Sequence, residues 1–450
     1  MARSASTVPG GIPPRSGTWD GRPVPEVEAA APCATHVRLL AIATVIGALV
    51  FNAFLCLVNT RFMGTADRHV ILTEMAIVGC AFLAAMTRKP ALYVFVAVFV
   101  SYMLMLFMLR GQVNPKAVRD ILVPLAFYFM AIRLADIRLA DRLVLASALI
   151  VVGFGFFEYL ALDTFLDYFN VIGYYLARGT VTLDQVFGQT KGLFISGQRP
   201  EPRTILPFLG QHRVSSVFLE PVSMGNFAVI VYAWALFRGR DFAGRWLAVA
   251  LAFTVIALAD ARFGLYTCVV ITLLYPFYRF LPRIVWTVLP FFLLAVLASW
   301  GITSLSEGGP NDLAGRFAVT AHILTRLDLS VVLGIGTTDQ FTADSGLAYS
   351  LTAFGIFGFV ALWTVFVHAP LAEARAWLFH SMMIVYLLLL MLISDSFYSI
   401  KTAALMWFLV GTAGACRTAA QSRRLQPAES VGARAPAEVL GSRRGAIGRS

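Results

Sequence analysis

Runs of about twenty mostly apolar residues recur along almost the whole of this chain, and about twelve can be counted. A helix needs that length to cross a bilayer, because it rises about 1.5 Å per residue through a hydrocarbon core of roughly 30 Å. The runs lie near 38–59, 70–86, 91–109, 117–134, 143–161, 216–237, 246–260, 262–281, 284–303, 344–368, 376–394 and 398–416. A backbone in lipid must satisfy its own hydrogen bonds, so these runs are expected to be helices. The expected fold is an all-α polytopic membrane protein with about 12 transmembrane helices and two long periplasmic loops.

Composition supports this reading. With 58% hydrophobic and only 14% charged residues, the chain has about half the charge of an ordinary soluble domain. The net charge of +11 would suggest nucleic acid in a soluble protein. Here no basic stripe interleaved with aromatics sits on an exposed element, so no nucleic-acid partner is expected. The five cysteines, Cys33, Cys56, Cys80, Cys268 and Cys416, have no metal-type spacing. Three lie in apolar runs and two near the termini, which leaves no pair for an external disulfide. Residues 1–37 and 417–450 are rich in small, Pro or Arg residues and read as disordered cytoplasmic tails flanking a transmembrane domain at 38–416. The N-terminal stretch lacks the apolar core of a signal peptide.

Orientation follows from the short connections. Arg88-Lys89, RLADIRLADR (133–142), RGRDFAGR (238–245), YRFLPR (278–283) and APLAEARA (369–376) all carry base, as does the C-terminal tail. The positive-inside rule places them, and both termini, in the cytoplasm of a bacterial inner membrane. The two longest connections, 162–215 and 304–343, then face the periplasm. Loops of that length are disordered or functional, and these are aromatic and aliphatic enough to hold amphipathic surface segments.

Polar residues concentrate at that face. Arg213 sits just before a run, and Glu220 is expected about two turns into it, where an ionisable group needs a partner; Arg213 is one candidate. Asp260 and Arg262 are pinned by the tight turn ADARFG, and a fixed guanidinium suits a phosphate as well as it suits a headgroup anchor or a local ion pair. The second loop passes Arg316, His322 and Arg326 and ends in GIGTTDQFTADSGLAYSLTAFGIFG, where Asp344 can serve as a general base or merely be solvated. Gly334, Gly336, Gly346, Gly355 and Gly358 permit tight turns and close helix contact. The aromatics Tyr168, Tyr174 and Tyr175 suit either sugar stacking or membrane anchoring. Within the runs, Glu74, Asp120, Glu158 and Lys401 read as paired structural charges, with Asp395 able to serve Lys401. No nucleotide-binding loop, metalloprotease or serine-hydrolase motif is present.

RVSSVFLEPVSMG, the ADARFGL turn, a later GRF, then GIG followed by DSGLAYSLTAFGIFG occur in that order over roughly residues 200–360. Together they resemble the Wzy-type polysaccharide polymerases and the related O-antigen ligases. The resemblance implies a metal-independent glycosyltransferase without a cofactor, which joins undecaprenyl-diphosphate-linked oligosaccharide repeat units into exopolysaccharide or O-antigen. Membrane lipid, a chain-length regulator and a flippase would be its partners. Arg213, Arg262 and Arg316 would neutralise the leaving diphosphate, with Asp344 as base. Glu220, Arg203, Arg326 and His322 would help bind substrate, Glu220 by orienting Arg213 and His322 as the fallback base. Asp344 stands where ligase relatives have a His next to Asn, a departure that favours the polymerase. A ligase, and a transporter or flippase of lipid-linked sugars, are the alternatives; no internal repeat supports the transporter.

Overall fold

The computed structural model describes residues 35–416 apart from 89, 184–185, 187–191, 199–202 and 304–312. The two expected tails, Cys33 and the EGGPND stretch therefore lie outside the described residues, save 35–37. The described residues form sixteen α-helices. They are α1 (Thr35–Arg61), α2 (Asp67–Ala85), α3 (Ala91–Arg110), α4 (Pro115–Leu134), α5 (Ile137–Leu160), α6 (Leu162–Tyr168), α7 (Val171–Ala177), α8 (Pro221–Arg238), α9 (Arg245–Ala259), α10 (Arg262–Leu274), α11 (Arg283–Thr303), α12 (Leu313–Thr325), α13 (Leu329–Leu333), α14 (Gly346–Val367), α15 (Ala376–Met391) and α16 (Ile400–Ala415). Among the described residues there is no strand, only an isolated bridge between Gln198 and His212.

Each apolar run contains one helix. By length and hydropathy, seven helices among the described residues can cross a membrane: α1, α2, α3, α5, α8, α11 and α14. Helices α9, α10, α15 and α16 are apolar but shorter, and α4 carries Lys116, Arg119, Asp120 and Arg133. The outer helices turn large apolar side chains outward: Val94, Val98 and Met108 on α3, Phe292 and Ile302 on α11, with Met108 82% exposed. Such a belt is stable only in contact with lipid, so this is an all-α, membrane-embedded protein. At the centre, α8, α15 and α16 are buried on nearly every side.

Local chemistry sets the helix limits. Asn114, Asp136 and Ser345 cap α4, α5 and α14 by accepting hydrogen bonds from Ala117, Leu139 and Ala348. Pro221 opens α8 at its first position, where its fixed φ is pre-set and its missing N–H costs nothing. Glu220 is therefore the extended residue before α8 and does not lie two turns inside a helix. The segment ahead of it is a 3-10 turn, Ser216–Phe218, which opens on Ser216 at positive φ (51°) and is followed by left-handed Leu219 (φ 62°). Helix α10 stops at Leu274, just short of Pro276.

Helix α14 is broken at Gly355 (φ 65°, ψ 169°), where it meets left-handed Gly334 (φ 90°) back to back. A Cβ on Gly355 would lie 2.9 Å from the Gly334 Cα. The break frees carbonyls that α3 captures. Arg110 Nε and Nη1 donate to Gly334 and Ala353, and the Tyr102 hydroxyl donates to Phe354. Gly355→Ala is expected to cost about 1–3 kcal/mol in backbone strain alone, before the clash is relieved. A thermal melt of the purified protein in detergent checks this, and a melt matching wild type would show that the junction relaxes freely.

Both ends of the bundle are defined by contacts between turns. At one end, ion pairs join Arg38 to Asp136, Arg238 to Asp141 and Arg375 to Asp241. The other end receives both long connections, with α6 and α7 in the first and α12 and α13 in the second.

Candidate functional site

The start of α8 is the hub of the end that carries the long connections. The Glu220 carboxylate accepts hydrogen bonds from the Tyr175 hydroxyl of α7, from Ser223, and from Lys401 at the start of α16 (3.2 Å). Lys401 also donates to the Phe218 carbonyl. Gly225 packs on Ala261, so close that a Cβ there would lie 2.5 Å from it, and this brings the turn before α10 against α8. The next residue, Asn226, donates to Ser396 in the turn between α15 and α16 (3.1 Å). Its Oδ1 is buried with no hydrogen-bond partner among the described residues. Consecutive side positions on α8 thus hold the Arg262 turn and the Asp395–Ser396 turn beside one another.

Arg262 opens α10 and is half-buried. Its turn is held by two further arginines. Arg203 donates to the carbonyls of Ala257 (3.2 Å), Leu258 (2.8 Å) and His212. Arg213 donates to Ala259 (3.0 Å), Ser196 (3.2 Å) and Asp260 (3.5 Å). The last carbonyls of α9 have no helical partner of their own, and guanidinium groups favour the negative end of a helix dipole. Asp260 takes the left-handed conformation that ends α9, and its Oδ1 accepts from the Ile205 N–H (2.7 Å). Glu220 bonds to Lys401, not to Arg213, because the six residues between Arg213 and Glu220 do not form an α-helix and Arg213 donates to the end of α9.

The strained turn before α8 is fixed by Glu158 at the end of α5. Its carboxylate, fully buried, accepts from the Ser215 and Ser216 N–H groups (3.0 and 2.6 Å) and meets His212 Nε2 at 3.0 Å. Glu158→Leu would leave two buried N–H groups without acceptors, at about 1–3 kcal/mol each. The expected result is a lower melting temperature together with loss of the Arg213 geometry. An unchanged melt would mean that the two amides find other partners.

Around the second connection the structure pairs two of the sequence candidates with each other. Arg316 on α12 lies 3.3 Å from Asp344, and both side chains stay substantially exposed, 39% and 49%. Thr320 on the same helix donates to the Leu392 carbonyl at the end of α15 (2.7 Å). His322 is half-buried further along α12. Arg326, just past α12, is exposed, and its carbonyl accepts from Gln340. Tyr174 and Tyr175 are buried, and the Tyr174 hydroxyl donates to Asn52. Tyr168 is partly exposed beneath the Arg61 guanidinium, 4.5 Å from its ring centre.

Sequence reading missed the network on α4. Arg119 bridges Glu74 of α2 (2.7 Å) and Asp120 (2.8 Å), and the Tyr349 hydroxyl donates to Asp120 from α14. Lys116 lies 3.1 Å from Asp395 and 4.4 Å from the centre of the Tyr349 ring. Asp395 therefore serves Lys116 and leaves Lys401 to Glu220. A signal was available, since Glu74 and Asp120 within apolar runs demand cations and α4 begins with two. No protein-family model, curated protein or solved structure matches this chain.

Proposed function

We propose that this protein polymerises undecaprenyl-diphosphate-linked oligosaccharide repeat units on the periplasmic face of the bacterial inner membrane. About twelve helices would span the membrane, with both termini in the cytoplasm. One observation carries the reading. The four segments that resemble the polymerases, around Glu220, Arg262, Arg316 and Asp344, meet at the end of the bundle that receives both long connections, linked through the start of α8 and the turn between α15 and α16. Transfer from a lipid diphosphate needs cations where charge develops on the leaving group, and guanidinium groups already in place supply it without reorganisation. Arg262 and the partly exposed Arg316 take that role. Arg203 and Arg213 position the Arg262 turn, Glu220 and Lys401 hold the start of α8, and His322 and Arg326, on and just past α12, are the remaining substrate-binding candidates.

The test is reconstitution of the purified protein in lipid with repeat units extracted on their carrier from the host. A ladder spaced by one repeat supports the polymerase. Product only after addition of a lipid A core acceptor would make it a ligase. One observation favours a second reading, since a helix broken inside the bundle, as α14 is at Gly355, is a transporter device. Movement of intact lipid-linked units across the bilayer without new linkages would establish that reading instead.

The topology has its own expected result. Thr164→Cys in α6 should react with an impermeant maleimide added outside intact cells, and Arg240→Cys only after permeabilisation. The reverse pattern would put the candidate site in the cytoplasm.

A further inference from the structure

The turn between α15 and α16 lies where the parts of the site converge. The Asp395 N–H donates to the Ala343 carbonyl (3.0 Å), one residue before Asp344 and its partner Arg316. Thr320 of α12 binds the Leu392 carbonyl, Ser350 of α14 meets the Tyr398 hydroxyl at 3.0 Å, and Asn226 of α8 reaches Ser396. Gly346, at the start of α14, packs so closely that a Cβ would fall 2.5 Å from the Ser394 carbonyl. The turn is thus fixed from several sides, while its single carboxylate keeps 16% of its side chain exposed. Lys116 is its cation, 3.1 Å from Oδ2. Asp120 from α4, Tyr349 from α14 and Tyr398 from its own turn also face it. Asp344, by contrast, lies in the open, with 49% of its side chain exposed and Arg316 3.3 Å away.

We infer that Asp395, not Asp344, is the general base that accepts the proton of the attacking sugar hydroxyl, an assignment that rests on the glycosyl-transfer reading. As the hydroxyl oxygen bonds to the anomeric carbon, its proton passes to the Asp395 carboxylate. The bond from that carbon to the diphosphate oxygen breaks, and its electron pair leaves with undecaprenyl diphosphate. Asp395 then returns the proton to periplasmic water. Burial holds the Asp395 carboxyl above the usual aspartate range, against the opposing pull of the Lys116 ammonium. A base so placed is stronger than an exposed carboxylate. Lys116 acts through it as a positioning residue.

The experiment measures repeat-unit transfer by reconstituted protein across pH, with lipid-linked repeat units extracted from the host. Asp395→Asn should lower kcat at least about a hundredfold, while Asp163→Asn on the exposed face of α6 should behave as wild type. The activity of wild type should rise with pH through the titration of the base. Lys116→Met removes a charge that favours the ionised form, so its acidic limb should move to higher pH. Asp344→Asn should lower the rate without moving that limb. Wild-type transfer by Asp395→Asn would overturn the inference and leave the polymerase intact. So would a Lys116→Met profile whose limb stays in place, which also decides the matter if Asp395→Asn fails to fold. Absence of transfer by wild-type protein would overturn the polymerase reading, and this inference with it.

Discussion

Arg119→Met is expected to melt far below wild type, with a loss of about 3–5 kcal/mol, the cost of removing one partner from a buried ion pair. Arg119 neutralises two carboxylates at once, Glu74 on α2 and Asp120 beside it, and the Asp120 side chain has no exposed surface. Methionine fills similar space, so packing changes little and the charge is the variable. Without the guanidinium, Glu74 and Asp120 would repel one another, Asp120 has no exposed surface from which to be hydrated, and Tyr349 can satisfy only one oxygen. Combining Arg119→Met with Glu74→Gln and Asp120→Asn should recover most of the loss, because neutral groups no longer demand a counter-charge. A single variant whose melting curve overlays wild type would show that this network contributes nothing.

The second large effect is on activity. Arg262→Ala and Arg316→Ala should each lower transfer by about 10²–10³-fold, the usual cost of one preorganised donor at a developing anion, about 2.7–4 kcal/mol. Arg316→Ala should insert and melt nearly as wild type, because Arg316 and its carboxylate partner Asp344 are both substantially exposed. Arg213→Ala should differ in kind. Its guanidinium caps α9 through the carbonyls of Ala259 and Asp260, so stability and activity should fall together. Equal, purely catalytic losses in all three variants would mean that Arg213 also reaches the diphosphate.

Hydropathy made the helices legible, because a backbone in lipid has few options, and each apolar run holds one helix near its expected limits. The start of α8 was misplaced although its signal was present. Pro221 is at home in a first turn, and the Ser-Ser pair before it belongs to a turn more readily than to a helix. The pairing of charges was not legible. Glu220 meets Lys401 and Asp395 meets Lys116 across 181 and 279 residues of sequence. A pattern of runs fixes which segments cross, but not which crossing segments touch. Local proximity suggested Arg213 for Glu220 and Lys401 for Asp395, and both suggestions failed for that reason. The glycine-rich close of the second connection was better marked. Gly334 and Gly355 sit where left-handed backbone and a van der Waals meeting of two chains exclude any side chain.

Polymerisation, as proposed, would break a sugar–diphosphate bond for every linkage made, and the direct measurement is the ratio of undecaprenyl diphosphate released to repeat units joined, with purified protein in liposomes containing only the host's lipid-linked repeat units. Polymerisation predicts one carrier released per linkage, a ratio that holds as the chains lengthen and that collapses in Arg262→Ala and Arg316→Ala. Lipid-linked units that cross the bilayer with no carrier released, from protein shown to be folded, would contradict it.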